Sequence, residues 1–148
     1  MNAHDIPNSI DISYAGALVT AASNTDSNSS RFDMANYEGV IFFTTITDSA
    51  ATGVATLTIE ENSADSDTGM TAITGSGASK TCTVNDDINN MLLISGAVRP
   101  AARYVQGVRT SATANIAFGE IHCIRFGCRV APIADNATVA DKHVVANV

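Results

Sequence analysis

Short runs of alternating apolar and polar residues, separated by clusters of Ser, Asn, Asp and Gly, constrain this 148-residue chain most tightly. In Ala55-Thr56-Leu57-Thr58-Ile59-Glu60 the period is two, so Ala55, Leu57 and Ile59 share one face and Thr56, Thr58 and Glu60 the other. Such a pattern makes a half-buried strand. Val40-Ile41-Phe42-Phe43 is apolar on both faces, which places it centrally in a sheet. Helical periodicity is nearly absent. Strands are expected over 12–22, 37–47, 54–61, 70–74, 79–84, 90–95, 103–110 and 114–129. Eight short strands joined by turns predict an all-β, antiparallel β-sandwich, jelly-roll-like in form. Gly39 and Gly53 are candidate bulges or turns.

The organisation divides into a core and two ends. Residues 1–30 read as an N-terminal arm with a first strand and the polar linker SNTDSNSS, residues 31–132 as the sandwich, and residues 133–148 as a C-terminal arm. A chain of this length buries enough apolar surface to need no disulfide or metal. MNAHDIPNSIDIS has neither the basic start nor the apolar run of a signal peptide. No run approaches the ~18 apolar residues of a membrane span.

Three cysteines lack framework spacing and fit a reducing compartment. Two fall in Ile121-His122-Cys123-Ile124-Arg125-Phe126-Gly127-Cys128. On one strand Cys123 and Cys128 would stand about 16 Å apart on opposite faces. A disulfide needs Cα atoms within roughly 7 Å. Adjacent His122 and Cys123 also point to opposite faces, so shared metal ligation fails, and the stretch reads as a strand with free, mostly buried thiols.

No other constellation carries chemistry. Asp65-Ser66-Asp67-Thr68-Gly69 lacks the remaining ligands of a calcium loop and reads as a polar hairpin tip. Gly75-Ser76-Gly77 lacks the lysine of a phosphate loop. His4, His122 and His143 are far apart, and no nucleophile elbow occurs. The expectation is a protein that is not an enzyme, with no cofactor, no metal and no small-molecule substrate. Five Phe, three Tyr and no Trp offer little for stacking sugars or bases.

Fifteen acidic against eight basic residues give a formal charge of −7, which disfavours nucleic acid as a partner. The charge is uneven. Arg99, Arg103, Arg109, Arg125 and Arg129 cluster late in the chain, and Glu60–Asp67 carries only acids. One reading is a basic side that docks on an acidic protein surface; the other is ordinary solvated charge on scattered strands.

Three segments together resemble a family of small virion structural proteins of tailed bacteriophages. They are Asp33-Met34-Ala35-Asn36-Tyr37-Glu38-Gly39-Val40-Ile41-Phe42, then Glu60-Glu61-Asn62-Ser63-Ala64-Asp65-Ser66-Asp67-Thr68-Gly69, and Arg99-Pro100-Ala101-Ala102-Arg103-Tyr104-Val105-Gln106-Gly107-Val108. The last runs on through Thr113-Ala114-Asn115 and closes at Gly127-Cys128-Arg129-Val130-Ala131-Pro132, so the resemblance covers residues 31–132. It implies a capsid decoration (cement) protein of the phage head exterior, a homotrimer bound to the major capsid protein and assembled in the bacterial cytoplasm. The five late arginines would face acidic neighbours. Ile6, Ile10, Ile133, Val139, Val144 and Val145 would be apolar grips on the two arms. A head–tail connector or tail protein, or a carbohydrate-binding module, are the alternatives.

Overall fold

The computed structural model describes residues 6–143. A single helical turn, α1 (Ile6–Ser9), precedes eleven strands. These are β1 (Asp11–Gly16), β2 (Val19–Ala22), β3 (Thr25–Asn28), β4 (Phe32–Asp33), β5 (Gly39–Ser49), β6 (Val54–Asn62), β7 (Thr71–Ala72), β8 (Ala78–Thr81), β9 (Leu92–Val98), β10 (Tyr104–Ala112) and β11 (Ile116–Phe126). One sheet runs β1-β11-β5-β9, with β2 also on β11; the other runs β3-β10-β6-β7, with β4 on β10 and β8 on β6. All pairings are antiparallel. Three positions are each shared by two short strands, so eleven strands fill eight positions, four per sheet. Numbered along the chain, the positions order as 1-8-3-6 and 2-7-4-5, the double Greek key of a jelly roll.

All eight expected strand segments are present. β6 behaves as its alternation requires, with Ala55, Leu57 and Ile59 fully buried and Thr56, Thr58 and Glu60 only partly so. β5 lies between β11 and β9, and its Val40, Phe42 and Ile46 are the centre of the core.

In the N-terminal segment the strand expected over 12–22 is present as β1 and β2, and the stretch read as a polar linker adds β3, so 11–28 supply strands to both sheets. Asp11, Ser13 and Ala15 face inward, so two of the three buried positions in β1 are polar. The linker SNTDSNSS contains β3, an edge strand held through backbone pairing with Val108–Ser111. An edge strand exposed on its outer side needs little apolar surface.

Glycines do two specific jobs. A Cβ on Gly107 would lie 2.9 Å from both the Phe42 ring and Ile121, so its absence lets the sheets close. Gly53 ends the β5–β6 turn, where its amide donates to Ala50 at 3.0 Å, yet the positive φ falls on Thr52 at 71°. What requires glycine at 53 is Ile116, 2.8 Å from the position a Cβ would take.

β10 turns Val105, Gly107, Arg109 and Ser111 inward, and this buries an arginine between the sheets. Arg109 Nη1 donates to the carbonyls of Ala17 and Gly119, both at 2.8 Å, and Nη2 donates to Ser27 Oγ at 3.1 Å. No carboxylate neutralises it, and burial pulls its pKa below the ordinary arginine value. We predict that Arg109→Ala, which removes the donor to Ala17 and Ser27, leaves Gly119 with the Thr44 hydroxyl alone and opens a cavity, destabilises the fold by about 2–4 kcal/mol. Arg129→Ala, at an exposed position, should stay within about 0.5 kcal/mol. Urea unfolding of both variants measures the difference, and equal midpoints would remove Arg109 from its bracing role.

Candidate interaction surfaces

The five late arginines do not form one basic side. Arg109 is buried as described. Arg125 is also internal: Nε and Nη2 donate to Asp11 Oδ2 at 3.1 and 2.8 Å, and Nη1 donates to the Asp33 carbonyl at 2.7 Å. Its guanidinium sits 4.4 Å over the Tyr37 ring and 5.4 Å over Phe32, so it joins β1, β4 and β11 rather than facing a partner. Strand alternation signals the fate of Arg109, since it shares a face with Val105. Arg103 is exposed but engaged, donating from Nε and Nη2 to the two Asp33 oxygens at 2.9 and 2.6 Å.

Arg99 and Arg129 remain. Both are exposed, and neither side chain has a hydrogen-bond or ion-pair partner among the described residues. Their backbones are fixed: Arg99 takes φ 54° and donates its amide to Glu38 at 2.6 Å, and the Arg129 amide donates to Asn36 at 2.9 Å. With Met34, Tyr37, Glu38 and Arg103 they line a concavity of about 340 Å³. It lies where β5 begins and β9 and β11 end.

The acidic stretch is likewise tied down. Arg31 Nε donates to Asp65 at 2.6 Å and Nη1 to Asp67 at 2.7 Å, so this hairpin tip is bracketed by a guanidinium. Glu60 accepts from Gln106 Nε2, and Glu61 from the Ala102 amide, both at 2.9 Å.

Of the apolar arm positions, Ile10, Ile133 and Val139 are half-buried against the chain's own body, and Ile6 lies in α1. The Ile133 amide donates to Asn8, and the Tyr14 amide donates to Thr138 Oγ1 at 3.1 Å, so the C-terminal segment runs beside the free edge of β1. Val144 and Val145 lie outside the described residues.

Sequence reasoning missed a different surface, the outer face of the five-stranded sheet. Registers across β1, β11, β5 and β9 align Ile12, Ile124, Ile41 and Gly96 in one row and Tyr14, His122, Phe43 and Ile94 in the next. Leu92, paired with Thr45, extends the face at one end, and Val98, paired with Gly39, at the other. Exposure is 57% for Ile94 and Leu92, 46% for Ile12 and 40% for Tyr14. Phe126 lies flat over Gly39, whose Cβ would fall 2.1 Å from the ring. His122 is held between Phe43, stacked at 5.3 Å, and Tyr14, edge-on at 5.9 Å. The two central rows contain no carboxylate, lysine or arginine.

The other sheet follows the ordinary rule of apolar inside and polar outside. Its outer side carries Thr56 bonded to Ser79, Thr110 donating to Asp26, and Gln106 paired with Glu60. The signal for the unusual face was present in Val40–Phe43: side chains apolar on both sides of a strand mean an apolar exterior as well as a central position.

The thiols are unpaired and two of the three are buried. Cys82, Cys123 and Cys128 are free, and burial pushes the Cys123 thiol far above its usual range. Cys82 donates through sulfur to the Val84 carbonyl at 3.0 Å.

No family model matches the chain, and no curated protein matches it. Among solved structures, Eiger TNF from S. frugiperda is similar with 10% identity and a TM-score of 0.40, covering 92% of this chain and 99% of that one. At that score the likeness carries no argument, and the jelly roll stands on its own strand order and registers.

Two carboxylates are held below their ordinary range. Arg103 lowers Asp33, and the Thr83 hydroxyl, with the amides of Thr83 and Val84, lowers Asp87. A depressed carboxylate contributes stability above its unfolded value, ordinarily 3.8, and loses it as pH falls through the folded one. The urea midpoint should therefore fall between about pH 5 and pH 2.5, and Asp87→Asn should flatten that fall. An unchanged acid response in the variant would mean the Asp87 cap is not the cause.

Proposed function

We propose that this chain is a virion structural protein that decorates the exterior of a phage head, acting as a homotrimeric cement on the major capsid protein lattice. The reading joins the segmental resemblance over residues 31–132 to one observation, an apolar sheet face whose two central rows carry no charge. Cementing is binding rather than catalysis. It asks for a stiff body, more than one adhesive surface and several copies of each contact, since linked weak contacts gain affinity through effective concentration.

Within this reading the shell-facing charge narrows from five arginines to two. Arg99 and Arg129 border a concavity able to take an acidic side chain or loop from a capsid subunit. Their amides anchor them to Glu38 and Asn36, so the guanidinium groups are presented from a fixed base. The C-terminal segment is held to the body through Thr138, so any reach toward neighbours belongs to the residues beyond it.

Purified particles test the role directly: the protein should be present in many copies, in step with the major capsid protein. A ring-like handful of copies would transfer it to the head–tail junction, and absence from particles would reject the proposal. Undecorated heads mixed with Arg99→Glu/Arg129→Glu protein should fill fewer sites, with a weaker dependence of binding on salt. Deleting 133–148 should leave a folded core that decorates poorly, and unchanged occupancy would reject a gripping role for that segment.

A further inference from the structure

We infer that the apolar outer face of the five-stranded sheet, centred on the Tyr14–His122–Phe43 stack, is the surface through which copies of this chain join. The inference rests on the reading above for the existence of an assembly, and it names the contact that reading leaves open.

Size is the first argument. From Gly39 to Thr45 the face runs about 20 Å along the strands, and four strands span about 14–19 Å, giving roughly 300–400 Å² in projection. That matches the largest apolar patch a soluble monomer tolerates, and it is roughly half of one partner's share of a stable interface. The sheet therefore supplies the apolar core of such an interface, and the surrounding loops supply its rim.

Charge is the second. The chain carries a formal −7, so two copies repel wherever their acidic surfaces approach. The two central rows are the broad area where identical copies can come together without opposing like charges. An acidic or basic partner would gain nothing there, because the face offers no complementary group. The same face on another copy matches it in chemistry, whether two copies meet about a twofold axis or three turn their faces toward a threefold axis.

Timing is the third. A capsid lattice is met only after shells assemble, whereas a second copy is available from synthesis onward. Apolar area of this extent, exposed on an edge strand such as β9, invites unwanted association if left open. Permanent cover by copies of the chain removes that exposure, and the arginine-lined concavity stays free for the shell.

The stack gives the interface a fixed relief. His122 is clamped on both sides by rings, so it presents a set shape rather than a mobile side chain. Gly96, in line with Ile41 and Ile124, leaves a shallow recess beside Ile94 that can receive a side chain from the neighbour.

The test is the mass of the full chain in solution at micromolar concentration, by sedimentation or light scattering. The wild type should run at two or three times 15.3 kDa. Ile94→Asp should weaken association by roughly a hundredfold or more, because an unpaired carboxylate would be buried. Ser79→Asp, on the outer face of the other sheet, is the matched control and should leave the mass unchanged. Circular dichroism of Ile94→Asp should remain that of the folded sandwich. Tyr14→Lys supplies a second probe if Ile94→Asp fails to fold. A monomeric wild type overturns the inference, and so does an assembly that persists when Ile94 and Tyr14 carry charge. An intact trimer or dimer that ignores capsids rejects the cement role and leaves the interface standing.

Discussion

Two sheets can close over a core only if the places where strands change sheet or lose register are satisfied, and one arginine does this here. Arg109 reaches from β10 to the carbonyls of Ala17 and Gly119 and to Ser27. Those groups lie at the β1–β2 junction, at the irregularity in β11 and on the crossing strand β3. The Gly119 carbonyl also accepts from the Thr44 hydroxyl, so what Arg109 adds is a link between the three elements beyond its own packing. Arg125 does related work from β11 in the other sheet, pairing with buried Asp11 beneath Tyr37. Cations that look like surface charge in the sequence are part of the frame.

That allocation explains the exterior. With Arg109 and Arg125 inside, Arg103 on Asp33, Arg31 across the acidic hairpin and Lys142 on Asp135, five of the eight cations are engaged within the molecule. The five-stranded sheet is left apolar over the two central rows of its outer face, with Glu120 exposed toward one end, while the six-stranded sheet is threonine-rich and hydrogen-bonded. One molecule thus carries two kinds of exterior, one suited to permanent cover and the other to water. A rim with two unengaged arginines joins them at one end.

The architecture was legible because period-two alternation is a strong local signal, and Ala55–Glu60 and Val40–Phe43 carry it plainly. Strand β3 was not legible, since Thr25–Asn28 pairs through its backbone and its side chains record nothing of that. Strand β1 was legible within 12–22, but not that Asp11 and Ser13 would bury polar groups that the distant Arg125 makes tolerable. The site was less legible than the fold. A formal charge reads the same in sequence whether it is solvated or braced between sheets, and only the register of β10 separates Arg109 from Arg129. The apolar face had a signal, but double-sided apolarity also fits a strand with both sides covered by its own chain.

The pairing of Asp11 with Arg125 has a consequence for biogenesis. The first strand made must wait for the last, 114 residues later. At ordinary ribosomal elongation of about 5–20 residues per second, that delay is roughly 6–23 s. Val40–Phe43 emerges into the same interval with neither of its eventual neighbours yet translated. Nascent-chain protection, such as a chaperone at the ribosome exit, therefore bears on how much functional protein a cell obtains, independently of how stable the finished molecule is.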